Sequence, residues 1–584
     1  MYVLGMSLGH ERAAALVRDG ELVAAIEEDR LDRMKHSAGG AVVPMKSVTY
    51  VLEAAGIGID EVDVAVGNRP FDDGSAGRLL AELPIRDKNR LYGLPMPSHH
   101  LAHAYAGYLA SPFDSAAVLV VDGVGSLVPG TDRIEKHTVF VGEGTALRRV
   151  YGATYPADRS SVGIGLFYSF FSAKLGFAAG GYPDDSTTMS LAAYGTARPE
   201  WEPLLAIDEG DIVAEMAHLE CAFARWRAAF GNGWSAERPQ SWRDQFGADL
   251  ARKAQDEAEA AMVHLARHVY ELTGQRRLCL TGSVALNHGV NQRIAVEGPF
   301  EELYILPAAG DAGVAIGAAY FGYYAIGGGT TRHHLASPAL GRGYGRGRVV
   351  RALESTGEMV YWREASVPEI AALIADNYVV GWVQGGSEMG THGLGHRSIL
   401  ANPSHPRMRD YLNQVVTHRE EFQPYAASVL VEKAGEWFEM TADSPFMLLA
   451  PRVRVDRRPV VPAITHVDGS APVQTVRAET NPRFHQLIAE LDRSTGVPIV
   501  LNTPFHGAGE PIVESPADAV RAFLDTELDY LYLGDLLIGK QHRELPKQHP
   551  RRTGATVAAE HVGVRLPAVV GGTAQALSGN GATS

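Results

Sequence analysis

Apolar and polar positions at the start of the chain alternate in short blocks, which predict strands joined by tight turns. After "YVLGMS" comes "AAALVRDGELVAAIEEDR", where two apolar runs flank the turn Asp19-Gly20, a pattern typical of a β-hairpin. The same order returns in "AAVLVVDGVGS", a polar loop and "HTVFVGEG". Because strand, glycine-containing turn and strand occur twice, the pattern predicts a duplicated α/β core.

Helical and strand patterns alternate between residues 163 and 325. Helical periodicity marks "IGLFYSFFSAKLGF" and residues 250–272, and short buried strands are predicted at "RLCLTG" and "ELYILPA". A helix of small residues is predicted at "DAGVAIGAAYFGYY". Strands that alternate with helices favour a mainly parallel sheet.

A stretch without periodicity separates this region from a second α/β pattern. Its sequence, residues 327 to 346, is "GGGTTRHHLASPALGRGYGR", which indicates a long connection. We therefore expect an N-terminal domain at residues 1–330, a linker at 331–346 and a C-terminal domain at 347–545. The small, polar residues of 546–584 predict a disordered tail.

Composition and charge narrow the class of protein. A chain of 584 residues exceeds the size of one core, and a formal charge of −15 argues against a nucleic-acid partner. Two cysteines favour a reducing compartment. The start has no basic leader followed by an apolar run, and no apolar run is long enough to span a membrane. We expect a cytoplasmic protein without a membrane partner.

Two histidines and two aspartates are candidate metal ligands. His99 and His103, in "PSHHLAHAYAGYL", are four residues apart and would point to one side of a helix. Capping or hydrogen-bonded histidines would explain such a pair about as well. Asp122 ends a predicted strand and Asp311 begins a helix, where it could also be an N-cap. Together the four side chains favour a mixed site for Fe²⁺, Mn²⁺ or Zn²⁺.

Two glycine-containing turns are candidate phosphate or nucleotide sites. In "TGSVALNHGVNQRI", Gly282, Ser283 and Asn287 lie where a strand passes into a helix, so backbone N–H groups there could hold a ribose or phosphate. An ordinary strand-to-helix turn is the alternative. The second turn, "QGGSEMGTHGLGHRSIL" at residues 384–400, contains five glycines but only one arginine, Arg397.

A series of motifs resembles the O-carbamoyltransferases of natural-product biosynthesis, of the nebramycin, cephalosporin and NodU type. The N-terminal motifs are "HHLAHA", "DGVG", "MSLAAYG", "LTGSVALN" and "LPAAGDAG". The C-terminal motifs are "GHRSILANP", "MRDYLNQVV", "SPFML", "PAITHVDGSAPVQTV" and "TGVPIVLNTPF". The resemblance covers roughly residues 1–541. It implies an α/β fold with a duplicated, actin-like N-terminal domain similar to Kae1 and an α/β C-terminal domain similar to YrdC.

The resemblance also implies an activity and a set of site residues. The C-terminal domain would combine carbamoyl phosphate and ATP into carbamoyladenylate. The N-terminal domain would pass the carbamoyl group to a hydroxyl, or an amine, of a small natural product, and the enzyme would be compatible with a homodimer. The implied residues are the metal ligands His99, His103, Asp122 and Asp311, the catalytic residues His10 and Lys35, and the cofactor-binding residues Gly123, Gly125, Asp185, Gly282, Ser283, Asn287, Arg397 and Arg419.

The C-terminal half departs from the family pattern where that pattern handles an anion. Cations of the family are replaced at five positions and a serine at a sixth, namely by Gly386, His392, Thr417, Gln423, Pro472 and, for the serine, Pro504. Thr187 also replaces a lysine, and Arg12 and Ala13 alter the surroundings of His10. Charge-assisted hydrogen bonds of about 1.5–3 kcal/mol each would be missing.

Two hypotheses follow from these departures. In the first, the enzyme still uses carbamoyl phosphate, which compensating residues such as His392, His396 and His506 would bind. In the second, the N-terminal metal and nucleotide site is retained, but the donor is a partner-supplied adenylate or another acyl donor, or ATP is used in a different reaction. A non-catalytic scaffold is disfavoured, because all four metal positions are present.

Overall fold

The computed structural model describes residues 1–37, 43–69, 75–179, 181–231, 233–237 and 241–541. Residues Met1–Leu545 form one compact unit. The tail expected to be disordered, residues 546–584, lies outside the described residues, as does the end of the expected C-terminal domain.

The strands of the N-terminal half follow the predicted blocks. In chain order they are β1 Tyr2–Ser7, β2 Ala13–Arg18, β3 Glu21–Glu27, β4 Val64–Asn68, β5 Leu91–Gly93, β6 Ser115–Val121, β7 Arg133–Glu143, β8 Ala146–Pro156, β9 Ser161–Val162, β10 Ala178–Ala179, β11 Tyr182–Pro183, β12 Ala206–Asp208, β13 Asp211–Glu215, β14 Arg277–Thr281 and β15 Glu302–Ile305. Asp19 and Gly20 form the predicted hairpin turn between β2 and β3 with φ of 50° and 89°, the positive values such a turn requires.

Two five-stranded sheets of this half share one plan. The first has the order β3-β2-β1-β4-β5, and the second, taken in the same sense, β8-β7-β6-β14-β15. In the first sheet β1, β2 and β3 pair antiparallel, while β1 pairs in parallel with β4 and β4 with β5. In the second sheet β6, β7 and β8 pair antiparallel, while β6 pairs in parallel with β14 and β14 with β15. The repeated topology confirms the predicted actin-like duplication.

The helices surround and connect these sheets. They are α1 Asp29–Asp32, α2 Met45–Ala55, α3 Ser75–Glu82, α4 His99–Leu109, α5 Ile164–Leu175, α6 Asp185–Ala192, α7 Met216–Phe230, α8 Gln245–Thr273, α9 His288–Glu297, α10 Val314–Phe321, α11 Arg346–Glu354, α12 Val367–Ala375, α13 Met408–Tyr411, α14 Ala434–Trp437, α15 Pro482–Thr495 and α16 Pro516–Asp525. Single 3₁₀ turns occur at Lys35–Ser37, Ile59–Glu61, Lys88–Arg90, Ser241–Arg243, Ser283–Leu286, Asp311–Gly313, Gly357–Met359 and Val431–Lys433, and π-helical turns at Gly322–Ile326 and Leu412–Val416.

The predicted helix of small residues, α10, packs closely against both α4 and β1. A Cβ on Gly317 would lie 1.9 Å from the carbonyl oxygen of Ala102 in α4, and a Cβ on Gly5 would lie 2.1 Å from that of Ala315. Glycine at both positions therefore allows the backbones to approach. This packing holds Asp311, at the turn before α10, beside the helix that carries His99.

The C-terminal half is built on an eight-stranded mixed sheet. Its strands are β16 Val360–Glu364, β17 Val380–Val383, β18 Arg397–Ala401, β19 Ala426–Leu430, β20 Val473–Val476, β21 Ile499–Pro504, β22 Tyr530–Leu533 and β23 Leu536–Lys540. They are arranged in the order β16-β23-β22-β17-β18-β21-β19-β20. Residues 327–345 contain no helix or named strand, and the division of the chain into two domains and a linker remains a prediction.

Candidate metal and carbamoyl-transfer site

The candidate site lies where the central strands of the two N-terminal sheets end. His10 follows β1, and Asp122 directly follows β6. β4 pairs in parallel with β1 and ends at Asn68, and β14 pairs in parallel with β6 and ends at Thr281. Ligand sites in α/β proteins commonly lie at these carboxyl ends.

The four candidate metal ligands converge on one point. Nε2 of His99 lies 3.1 Å from Oδ2 of Asp122 and 3.2 Å from Oδ1 of Asp311. Nε2 of His103, one turn along α4, lies 3.3 Å from Nε2 of His99. All four side chains are buried, and one potential ligand atom from each lies within 4.8 Å of the others. Within the described ranges no other such group of three or more side chains is found.

Electrostatics at this cluster favour a positive charge at its centre. Burial lowers the pKa of His99, but the charge of Asp311 and the hydrogen bonds to both carboxylates outweigh it, so this pKa is raised well above 6.5. Burial and the charge of Asp311 raise the pKa of Asp122, yet the two histidines hold it well below 3.8. Two imidazoles and two carboxylates in this arrangement fit a divalent metal ion.

Ser283, Gly123 and Gly282, which the sequence predicts to bind a nucleotide, lie around the candidate metal ligand Asp122, and their nucleotide role remains a prediction. The backbone N–H and Oγ of Ser283 both donate to Oδ1 of Asp122, at 2.8 and 2.6 Å, which leaves Oδ2 facing His99. The N–H of Gly123 donates to Oγ of Ser283 at 3.1 Å. Gly282 has a φ of 94°, and a Cβ there would lie 2.2 Å from the carbonyl oxygen of Val121. The turn after β14 therefore fixes Asp122.

Close packing explains the glycine at position 125, and helix capping explains the asparagine at position 287. A Cβ on Gly125 would lie 2.7 Å from Nε2 of His100, so close packing favours glycine there. Oδ1 of Asn287 accepts from the N–H of Val290 at 3.0 Å and caps α9. A nucleotide role for either residue remains a prediction.

Asp185 lies at the start of α6 between two serines. Its oxygens accept from Oγ of Ser172 at 2.6 Å and from Oγ of Ser169 at 2.8 Å. Burial raises the pKa of this carboxyl to about 6, although the serine hydrogen bonds oppose the rise. A nucleotide role for Asp185 also remains a prediction.

His10 contacts the metal cluster from its more exposed side. Its Nδ1 lies 3.3 Å from Oδ2 of Asp311, the oxygen that faces away from His99. The ring of His10 lies 4.9 Å from that of Tyr182 and 6.5 Å from that of His36. The sequence did not mark Tyr182 or His36 as site residues.

Lys35, the second predicted catalytic residue, lies near the C-terminal half. Burial, together with the charges of Arg419 and Lys35, lowers the pKa of His506 to about 4. The side chains of Lys35 and Arg419 are thus close enough to His506 for their charges to act on one imidazole. Their catalytic and cofactor roles remain predictions.

In the glycine-rich loop at residues 384–400, the backbone N–H groups donate to a carboxylate of the chain itself, Glu388. Oε1 of Glu388 accepts from the backbone N–H groups of Leu394, His396 and Arg397 at 2.5, 3.3 and 3.2 Å. The side chain of Glu388 is buried. Three converging N–H groups are what a phosphate cradle would use, and here a carboxylate occupies them.

Arg397, the single arginine of that loop, is fully buried. Its Nε donates to the carbonyl oxygen of Glu514 at 3.2 Å, and both terminal nitrogens donate to that of Gly385, each at 3.2 Å. These hydrogen bonds hold the loop in place. A role of Arg397 toward a cofactor remains a prediction.

Comparison with known proteins decides the family. The family model for the carbamoyltransferase N-terminus matches residues 2–74 and 65–320, and that for the carbamoyltransferase C-terminus matches residues 371–540. The chain belongs to the carbamoyltransferase family. It is therefore a transferase, as the sequence motifs predict.

Relatives of this carbamoyltransferase align over most of its length. Nodulation protein NolNO of Sinorhizobium fredii is 34% identical over 91% of this chain and 79% of the relative. Nodulation protein NolO of Bradyrhizobium diazoefficiens is 34% identical over 77% of this chain and 80% of the relative. Nodulation protein U of Sinorhizobium fredii is 28% identical over 87% and 94%. Among solved structures, full-length HypF in its phosphate- and nucleotide-bound form is 11% identical, with a TM-score of 0.37 over 56% of this chain and 55% of that chain.

No helix in the described part of the carbamoyltransferase is both long and apolar enough to cross a bilayer.

Two positions where this carbamoyltransferase lacks a family cation contact each other. Nε2 of Gln423 donates to Oγ1 of Thr187 at 3.1 Å, and Arg419 donates to Oε1 of Gln423. Oγ1 of Thr417, a third such position, lies 3.0 Å from the hydroxyl of Tyr425. Hydrogen bonds thus join side chains at the positions where the motifs predict a missing lysine or arginine, and the bond from Arg419 is charge-assisted.

The three histidines expected to compensate for the missing cations have lowered pKa values. Burial lowers the pKa of His392 to about 4, and its Nε2 lies 3.0 Å from Nε2 of His288. Burial also lowers the pKa of His396 below 6.5 and that of His506 to about 4. All three are therefore largely neutral near pH 7 and add little positive charge.

Proposed function

We propose that this carbamoyltransferase transfers a carbamoyl group from carbamoyladenylate to a hydroxyl group, or an amine, of a small natural product at the N-terminal cluster. The observation that carries the proposal is the pairing of a buried two-histidine, two-aspartate cluster with His10, whose Nδ1 lies 3.3 Å from Asp311. Both halves belong to the carbamoyltransferase family.

Metal ligation at the cluster is part of the proposal. His99, His103, Asp122 and Asp311 would hold the ion, with Fe²⁺ the first choice and Mn²⁺ or Zn²⁺ as alternatives. When bound, the ion would supply positive charge for the carbamoyl carbonyl or the leaving phosphate group.

His10 is the proposed general base. Its Nδ1 lies 3.3 Å from Oδ2 of Asp311, so with the hydrogen on Nδ1 the ring would present Nε2 as the atom that accepts a proton. As the acceptor oxygen forms its bond to the carbamoyl carbon, the bond from that carbon to the adenylate oxygen breaks and AMP leaves. The hydroxyl proton passes to Nε2 of His10. Lys35 would steady the negative charge of the leaving group.

Two candidate functions differ in the source of the carbamoyl donor. In the first, the C-terminal half makes carbamoyladenylate from carbamoyl phosphate, water and ATP: hydrolysis releases phosphate and leaves carbamate, whose oxygen attacks the α-phosphorus of ATP and displaces pyrophosphate. Arg397, Arg419 and the predicted N-terminal positions would then bind the phosphate groups.

Specific contacts favour the second function, in which the donor is not made from carbamoyl phosphate by this chain. Gln423 donates a hydrogen bond to Thr187, Glu388 occupies the N–H groups of the glycine loop, and burial lowers the pKa of His392. A carbamoyl phosphate dianion would find few cations there. The N-terminal site would then take an adenylate from a partner or use another donor.

An assay of donor formation separates the two functions. The purified full-length chain, loaded with Fe²⁺, is incubated with carbamoyl phosphate and ATP, and pyrophosphate and carbamoyladenylate are measured. Formation of both supports the first function and rejects the second. If neither forms, while added carbamoyladenylate is consumed faster by the wild type than by His10→Gln, the second function holds. If neither reaction occurs, the proposal as a whole is wrong.

A further inference from the structure

Asn68 occupies a buried position directly behind the metal cluster. It ends β4, beside Ser7 at the end of β1, and is 1% exposed. Its Oδ1 lies 3.3 Å from Nδ1 of His99, the ring nitrogen that does not face Asp122 or Asp311. No motif in the sequence marked this residue.

The amide of Asn68 is itself held in one orientation. Its Nδ2 donates to Oγ of Ser98 at 2.8 Å. Ser126 accepts from the backbone N–H groups of Ser98 and His99 at 3.0 and 2.9 Å, so the start of α4 is also fixed. With Nδ2 directed to Ser98, Oδ1 is the atom left for His99.

A metal-bound histidine needs its other ring nitrogen protonated. Nε2 of His99 must carry the lone pair that faces the cluster, so Nδ1 must carry the hydrogen, and an acceptor at Nδ1 stabilises that tautomer and the ring orientation. His103 has no such support, since its Nδ1 is buried and has no hydrogen-bond partner among the described residues.

We propose that Asn68 is a positioning residue of the metal centre, which accepts the Nδ1–H of His99 and so sets the tautomer and aim of this ligand. The inference rests on the metal site of the proposed function. It assigns no contact between Asn68 and substrate or metal.

The test measures binding of Zn²⁺ and Co²⁺ alone to the full-length, metal-stripped protein by calorimetry. Asn68→Leu removes the acceptor and should raise the Kd about 10- to 100-fold. Asn68→Asp keeps an acceptor and adds charge, so its Kd should equal or fall below that of the wild type. Asn413→Leu is the matched control, because Asn413 is a fully buried asparagine bonded to the carbonyl of Gln423; its Kd should stay at the wild-type value.

A spectroscopic readout separates positioning from general destabilisation. In Zn²⁺-loaded protein with ¹⁵N-labelled histidine, the wild type and Asn68→Asp should show His99 protonated at Nδ1 alone. Asn68→Leu should broaden or shift that signal and leave His137 unchanged. If Asn68→Leu does not fold, Ser98→Ala, which frees the amide of Asn68, should weaken metal binding in the same direction.

Three outcomes would overturn the inference. They are a wild-type Kd in Asn68→Leu, an equal loss in Asn68→Asp and Asn68→Leu, and no effect of Ser98→Ala where the leucine variant is unfolded. A wild type that binds neither ion would reject the metal site itself, and with it this inference, so the two failures are distinguishable.

Discussion

The imidazoles of His288 and His392 form a neutral pair between the N-terminal and C-terminal halves. Their Nε2 atoms are 3.0 Å apart, so one ring must donate and the other accept. Burial, then the charge of His392, lowers the pKa of His288 to about 3, and burial lowers that of His392 to about 4. A proton on either ring would leave two donors facing each other.

This pair predicts a loss of stability in acid. Because both folded-state pKa values lie below 6.5, the unfolded chain takes up protons that the folded pair does not, and the free energy of unfolding falls as pH drops from 6.5 toward about 4. The double variant His288→Gln with His392→Gln should reduce this fall by on the order of 3 kcal/mol. Urea unfolding across that pH range measures it.

The control for the pair is an exposed histidine. His333→Gln should leave the pH dependence as in the wild type. An unchanged slope in the double variant would show that protonation of this pair does not govern acid stability.

At single positions the sequence marked the four side chains that the structure brings together, but not the residues that support them. His99 and His103 carried a helical spacing, and Asp122 a strand end, so their chemistry was visible in the pattern. Asn68 and Ser126 lie 31 and 27 residues from His99, and no local pattern connects them, because the contacts depend on how two sheets close together. An acidic residue, Glu388, inside a loop expected to bind an anion could have indicated that the chain's own carboxylate accepts these N–H groups.

At the scale of elements, the structure differs most from the sequence-based expectation at the loop of residues 384–400. Composition predicted a phosphate cradle, and the structure fills its N–H groups with Glu388. Arg30 of α1 donates to the carbonyl oxygens of Glu388 and Gly390 at 2.5 and 2.6 Å. The loop is therefore held by its own carboxylate and by the N-terminal half.

Glu388→Gln should loosen this loop. The amide oxygen would lose the charge that three N–H groups share, at a cost of about 3 kcal/mol. Hydrogen exchange at the amides of Leu394 and Arg397 should quicken by on the order of 100-fold. Glu479→Gln, at an exposed position, is the control and should leave these amides protected. Unchanged protection in Glu388→Gln would mean that the carboxylate does not hold the loop.

At the scale of the molecule, the duplication of the N-terminal half was predictable and the contact between the halves was not. The repeated strand and turn pattern predicted the three antiparallel strands of each sheet, since these strands are neighbours in sequence. The hydrogen bond between Thr187 and Gln423 joins residues 236 positions apart. This contact depends on how the two halves pack in three dimensions, so its effect on the expected anion site was not visible in the sequence.

We propose that the N-terminal half of this carbamoyltransferase binds one divalent ion through His99, His103, Asp122 and Asp311. The most direct measurement is anaerobic titration of metal-stripped protein with Fe²⁺, with bound iron counted per chain. The wild type and His137→Gln, a buried histidine outside the cluster, should bind about one ion. His99→Ala with His103→Ala should bind none. Equal iron in the double variant and the wild type would show that His99 and His103 do not hold the ion.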